Sequence, residues 1–300
     1  MIYKQSKWQS GRTIVEIMVA MTISFIIMLG IIGVYIGSQQ SYRTTDDKSR
    51  LDEDARLVLH IMAQSIRMAG YGALVSAKPI DPEKGPMSDF MSPQQKNSYL
   101  GTPRLAAIFG CSGNFTDPKV VLPTCTTNTN RDSLLVRYKV DTDNANVTAG
   151  NLPTDCLGQA VLLNPSVVEN RFYIASNPTT SNSELYCAGN GGTSSVAVTF
   201  ASNPQPIAEN VIAMQLSYGF DSDGDQSADN FYPASAVANW DSVVSVKICL
   251  VMRTSNDGLT TQNAQYRDCN NNVQVATDRR IYGAYSTVVT LRSRASGSTL

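Results

Sequence analysis

Two periodicities divide the chain. From Ile17 to Gly37 it reads IMVAMTISFIIMLGIIGVYIG, 21 positions without a charge, which as a helix rising ~1.5 Å per residue is about long enough to cross a bilayer. In the following SQQSYRTTDDKSRLDEDARLVLHIMAQSIRMAGYG the apolar residues Leu51, Ala55, Leu59, Met62, Ile66 and Ala69 are spaced three or four apart. That is the stripe of an amphipathic helix with one buried face. Asp52, Arg56, His60 and Arg67 fall mostly off the stripe, and Gly70 and Gly72 supply stop signals. The pattern predicts one helix from about Thr13 to about Ala69. Gly30, Gly33 and Gly37 each weaken it by ~1 kcal/mol relative to alanine, so they mark either a stretch that can unwind or, the favoured reading, small-residue packing sites.

Beyond Tyr71 the period falls to two. DSLLVRYKV, QAVLLN, VVENRFYIAS, SSVAVTF, NVIAMQLSYGF, SVVSVKICLVM and YSTVVTLRS are rich in β-branched and aromatic residues and are separated by Gly, Asn, Pro and Asp clusters. In NVIAMQLSYGF, Ile212, Met214, Leu216 and Tyr218 alternate with Ala213, Gln215 and Ser217, as in a strand with one buried face. An antiparallel sheet packed on the helix buries both apolar faces, so the expected class is α+β. The polar stretches around 75 to 130 and 254 to 279 read as long loops.

Composition narrows the setting. The chain has 300 residues, 42% of them hydrophobic, enough to bury a substantial core. Its 24 Lys and Arg against 25 Asp and Glu exert no global pull toward nucleic acid. Six cysteines, Cys111, Cys125, Cys156, Cys187, Cys249 and Cys269, all follow the apolar segment, and none forms a C-x-x-C pair. With His60 the single histidine, zinc is disfavoured and disulfides in an oxidising compartment are expected. The spacing leaves connectivity open, while short loops favour the sequential pairs. Lys4, Lys7 and Arg12 precede the apolar run, so the positive-inside rule puts the N-terminus in the cytoplasm and the cysteines outside.

Glu16 sits at the mouth of that run. A secretory signal would need a shorter apolar core and a small-residue cleavage site, but SQQSYR follows Gly37. A plain anchor has no use for a carboxylate that costs up to ~3 kcal/mol near a membrane helix centre. GRTIVEIMVAM resembles the class III signal of type IV prepilins, in which a basic leader ends in glycine and the fifth mature residue is glutamate. The resemblance implies a leader from Met1 to Gly11, cleavage between Gly11 and Arg12 by a prepilin peptidase, N-methylation of Arg12, and pairing of Glu16 with a subunit N-terminal amine. The family usually begins its mature chain with phenylalanine, where this one has Arg12. SIRMAGYG, DARLVLHIMAQ before it, and the order VVENRFYI, MQLSYGFDSDGD, WDSVVSVKICLVMR, TVVTLRS resemble PilW-type minor pilins.

On this reading residues 1–11 are leader, 12–38 a transmembrane and filament-core helix, 39–72 its amphipathic continuation, and 73–300 a β-rich periplasmic or extracellular head with disulfide-pinned loops. In the head, DSDGDQSAD places Asp221, Asp223, Asp225 and Asp229 around Gly224. Alternate aspartates direct hard oxygens inward, as for calcium, and the same letters also suit a surface Asp-Gly turn. It is no EF-hand: Gln226 and Tyr232 stand where that loop needs glycine and glutamate. No nucleophile elbow, H-E-x-x-H, Walker loop or dinucleotide fingerprint occurs, and His60 reads as a solvated helix residue. The expected function is structural, a minor pilin that primes or caps a type IV pilus. Its partners would be other minor and major pilins, the prepilin peptidase and the inner-membrane assembly machinery. A type II secretion pseudopilin and a membrane-tethered adhesin or ligand-binding module are the alternatives.

Overall fold

The computed structural model describes residues 13–71, 106–120, 123–127, 130–139, 147–161, 167–192 and 204–292. Helix α1 runs Ile14–Met68 without a proline. Its C-terminus closes where Ala69 and Tyr71 donate back to the Ile66 and Met68 carbonyls and Gly70 takes φ 74°, a left-handed conformation that suits a residue without Cβ. The Gly70 N–H then bonds the Arg137 carbonyl at 2.9 Å, tying the helix end to the sheet.

The chain divides into two compact units, residues 1–48 and 49–300. In the first, the α1 side chains from Ile14 to Ile36 are exposed, and the helix is long and apolar enough to cross a membrane. In the second, α1 buries Leu51, Ala55, Val58, Met62, Ala63, Ser65 and Ile66. The expected stripe is present, but Val58 is buried and Leu59 half-buried, and the face widens to take in Ala63 and Ser65.

Eleven described strands form the rest of this unit. β1 (Ile108–Cys111), β2 (Ser133–Lys139), β3 (Val167–Ser176), β4 (Ser183–Gly189) and β5 (Gln205–Glu209) make an antiparallel meander in sequence order. β6 (Val211–Phe220), β7 (Asn230–Tyr232), β8 (Val243–Arg253) and β11 (Tyr282–Thr290) make a second antiparallel sheet ordered β11-β8-β6-β7. β9 (Gln265–Arg267) and β10 (Val273–Val275) pair as a small hairpin. The α+β layout is therefore as expected.

One core joins all three layers. Met62 and Ile66 of α1 share it with Ile108, Phe172 and Leu185 of the first sheet and Met214, Leu216, Ile248 and Leu250 of the second. Truncating such a side chain to alanine costs ~2–5 kcal/mol. The sheets are stitched at Asp132, whose N–H donates to the Met214 carbonyl (2.9 Å) and whose Oδ2 accepts the Leu216 N–H (2.7 Å). A buried polar link fastens the helix: the Asn170 amide donates to Ser65 Oγ (3.2 Å) and Tyr138 Oη (3.3 Å).

Three disulfides join Cys111 to Cys125, Cys156 to Cys187 and Cys249 to Cys269. They are the sequential pairs, and each closes a short loop. Closing a loop of such length stabilises a fold by about 3 kcal/mol in the chain-entropy view.

Several strand assignments differ from the sequence pattern. The stretch 254 to 279, read as loop, holds β9 and β10, and the stretch 75 to 130 holds β1. In QAVLLN, Ala160 makes only an isolated bridge to Thr154, and Leu162 onward lies outside the described residues, as does the whole of SSVAVTF. In β6 the register shifts between Val211 and Ala213, so Val211 is buried and Ile212 only half-buried. An extra residue at such a bulge resets which side chains face the core.

Candidate functional site

At the start of α1 the letters T-I-V-E build a reciprocal cap. The Thr13 N–H donates to Glu16 Oε2 (3.0 Å), and the Glu16 N–H donates to Thr13 Oγ1 (3.3 Å). This is the capping box: two helix N–H groups that no turn above can accept are met by two side chains. Glu16 also lies at the positive end of the helix dipole. Both residues are exposed, and a ring of uncovered apolar side chains follows, from Ile14 at 77% through Phe25 at 64% to Val34 at 74%. Such a surface is stable only in lipid or against other apolar helices. Gly11 and Arg12 lie outside the described residues.

The acidic stretch after β6 is a tight turn. Asp221 accepts the Gly224 N–H (2.7 Å) on Oδ1 and the Gln226 N–H (3.0 Å) on Oδ2. Asp223 accepts from the Asp225 N–H (3.1 Å), and Asp225 from the Ser227 N–H (2.7 Å). Gly224 at φ 84° and Gln226 at φ 68° make the reversal. One carboxylate oxygen from each of Asp221, Asp223 and Asp225 comes within 4.8 Å of the others. Asp229 is not among these three, and its Oδ2 accepts both the N–H and the Oγ–H of Ser222. The Ser222 hydroxyl first, then the backbone N–H, hold its carboxyl below the usual range. Three hard oxygens with lone pairs left over are chemically suited to a calcium-like cation, with solvent supplying further ligands.

The buried charges lie elsewhere and serve the fold. Glu169 on β3 faces Arg137 on β2 as a direct cross-strand partner. Its Oε2 receives the Arg137 guanidinium, and its Oε1 receives Arg171 Nε at 2.8 Å. Burial alone pushes the Glu169 carboxyl up, and the two guanidinium groups more than offset it, leaving the group below its ordinary value. Arg171 also donates to the Pro118 carbonyl (2.7 Å), pinning the loop closed by Cys111 and Cys125. His60 is exposed on α1.

Among the described residues, one helix long and apolar enough to cross a membrane together with a disulfide-bonded antiparallel α+β head gives a pilin-like layout. Within the head, residues 171–293 match the family model of PilW, the type IV pilus-assembly protein W. The match opens at Arg171 of the buried triad and runs through β4 to β11. The PilW-type resemblance drawn from the helix end and strand order is thus met in the head. No curated protein and no solved structure matches the chain.

Proposed function

We propose that this protein is a minor pilin that primes or caps a type IV pilus, entering the filament through α1 and doing no chemistry beyond being processed. The PilW match over residues 171–293 carries the reading, and it is what favours a pilus over a type II secretion pseudopilus or a free-standing adhesin. Support comes from the uncovered apolar surface of Ile14–Ile36 with one carboxylate at its start. In this reading the prepilin peptidase cuts between Gly11 and Arg12 on the cytoplasmic side, leaving the head in the periplasm until assembly. Glu16 then exchanges its cap on Thr13 for, or shares it with, the terminal amine of a neighbouring subunit, since a carboxylate entering an apolar filament core needs a cation. A calcium ion at Asp221, Asp223 and Asp225 would stiffen the turn before β7.

Sheared filaments provide the test. The chain should co-purify with other pilin-like subunits, with a mass that starts at Arg12, and its deletion should leave pili sparse or absent. An uncut Met1 chain in filaments, or normal piliation in the deletion strain, would sink the reading.

A further inference from the structure

The outer side of β11 is the longest uncharged sheet edge among the described residues, and the three-residue strands β9 and β10 reach only its start, where Tyr266 stacks on Tyr282. β7 spans three residues and β1 four. Ser112, next after β1, accepts the Ser235 N–H of the turn Ala234–Ala236. β5 carries Pro206 and pairs with a register shift at Leu185 and Tyr186. Short length, proline and irregularity are the usual protections against strand addition. β11, by contrast, is nine residues, YGAYSTVVT, with no charge and no proline.

Its ladder to β8 fixes which groups face outward. The pairs run from Tyr282 with Arg253 to Thr290 with Ser245 without a shift. At the two ends the Thr254 N–H donates to the Ile281 carbonyl and the Leu291 N–H to the Val244 carbonyl, both at 2.9 Å. Because bonded and non-bonded pairs alternate in an antiparallel ladder, Gly283, Tyr285, Thr287 and Val289 also turn their backbone groups to β8. Tyr282, Ala284, Ser286, Val288 and Thr290 turn theirs to the open side. At Arg292 that side closes, since its N–H reaches the Arg67 carbonyl of α1 at 3.4 Å. The side chains of Ala284, Ser286, Val288 and Thr290 are all exposed, Val288 at 56%. Lys247, exposed, lies cross-strand from Val288.

The direction of β11 decides what can pair there. Tyr285 donates its hydroxyl to Asp52 at 2.6 Å, and Arg292 meets Arg67, so strand and helix run in the same sense. A symmetric antiparallel pairing of two β11 strands would point the two chains' Ser49 ends in opposite directions, although both lead into an anchor in the same membrane. We propose that the open edge of β11, from Ala284 to Thr290, receives an extended strand from a different membrane-tethered pilin-like subunit, neutral or acidic where it passes Lys247. Main-chain hydrogen bonds would supply the contact, as in strand addition generally. The inference rests on the minor-pilin reading.

Residue-resolved amide exchange on the full chain, isolated in detergent and within sheared filaments, tests it. In the isolated chain the Ala284, Ser286, Val288 and Thr290 amides should exchange fast beside slow odd-numbered neighbours. In filaments they should slow to the rate of those neighbours. Ser286→Pro and Val288→Lys alter the open side without removing a bond to β8. Both should leave the melting temperature and disulfides unchanged while excluding the chain from filaments. Fast exchange at the four amides in filaments, or normal incorporation of both variants, overturns the edge proposal and leaves the minor-pilin reading standing. Protection of the same amides in the isolated chain that rises with its concentration overturns it in favour of a second copy. A chain absent from filaments with piliation intact on its deletion defeats both.

Discussion

Glu16 and Thr13 satisfy each other, the Thr13 N–H at 3.0 Å from Glu16 Oε2 and the Glu16 N–H at 3.3 Å from Thr13 Oγ1. The carboxylate therefore has a use before any neighbour arrives: it caps the helix. Capping and charge pairing are separable, because glutamine keeps an oxygen for the Thr13 N–H and loses the charge. Glu16→Ala and Glu16→Gln should both keep the chain out of sheared filaments, whereas Thr13→Val should cost the helix end only ~1 kcal/mol and leave assembly intact. Wild-type incorporation of the glutamine variant would show that capping suffices and that no amine is being paired.

Calcium binding to the turn makes a different prediction. A cation that binds only the folded chain stabilises it by about 2.7 kcal/mol at one hundred times its dissociation constant. Calcium should raise the melting temperature and chelator should lower it. Asp223→Asn should abolish the response with little effect in chelator, because the amide oxygen can still accept the Asp225 N–H now held by Asp223 at 3.1 Å. Identical melting in calcium and in chelator would remove the ion from the account.

The helix was legible because a long 3.6-residue period leaves few alternatives; the buried face differs in taking Val58 in place of Leu59 and in widening to Ala63 and Ser65. That shift reflects the width of a helix face that packs against two sheets at once, with Val58, Met62 and Ile66 all in the shared core. In β6 the alternation from Met214 to Tyr218 held, while the bulge at Val211 and Ala213 reset the face at the strand's start. β9 and β10 could not be read from pattern: each is three residues, and Val273 and Val275 are exposed. Their hairpin is held by the Cys249–Cys269 bond and by Tyr266 stacked on Tyr282 at 4.7 Å, contacts distant in sequence. The Thr13 and Glu16 cap is legible in the sequence as T-x-x-E before an apolar run.

The Arg137, Glu169 and Arg171 cluster should be intolerant of losing the carboxylate that both arginines share. Glu169 is 1% exposed and meets both guanidinium groups. Glu169→Gln keeps the shape and strands two buried cations. The expected loss is ~3–5 kcal/mol, which lowers the melting temperature by roughly 10 °C in a head of this size. Because Arg171 also holds the Pro118 carbonyl, limited proteolysis should cut the variant first between Cys111 and Cys125. A melting temperature within a degree or two of the parent would mean that the triad contributes little net stability.

Asp132 should act in the opposite sense. Its burial pushes the carboxyl up to about 6, and the backbone N–H groups of Leu216 and Gly113 only partly offset that. Below the ordinary value of 3.8 the carboxyl is protonated in both folded and unfolded chains and contributes no pH dependence. As pH rises from there to about 6 the unfolded chain ionises first, so stability falls, and above about 6 the penalty is constant. Asp132→Asn removes the ionisation and keeps an oxygen for the Leu216 N–H. It should stabilise the head at neutral pH by on the order of 2 kcal/mol and make no difference near pH 3.5. Denaturant melts of both proteins across that range give the comparison, and a gap that does not close on acidification would show that Asp132 is not the group titrating.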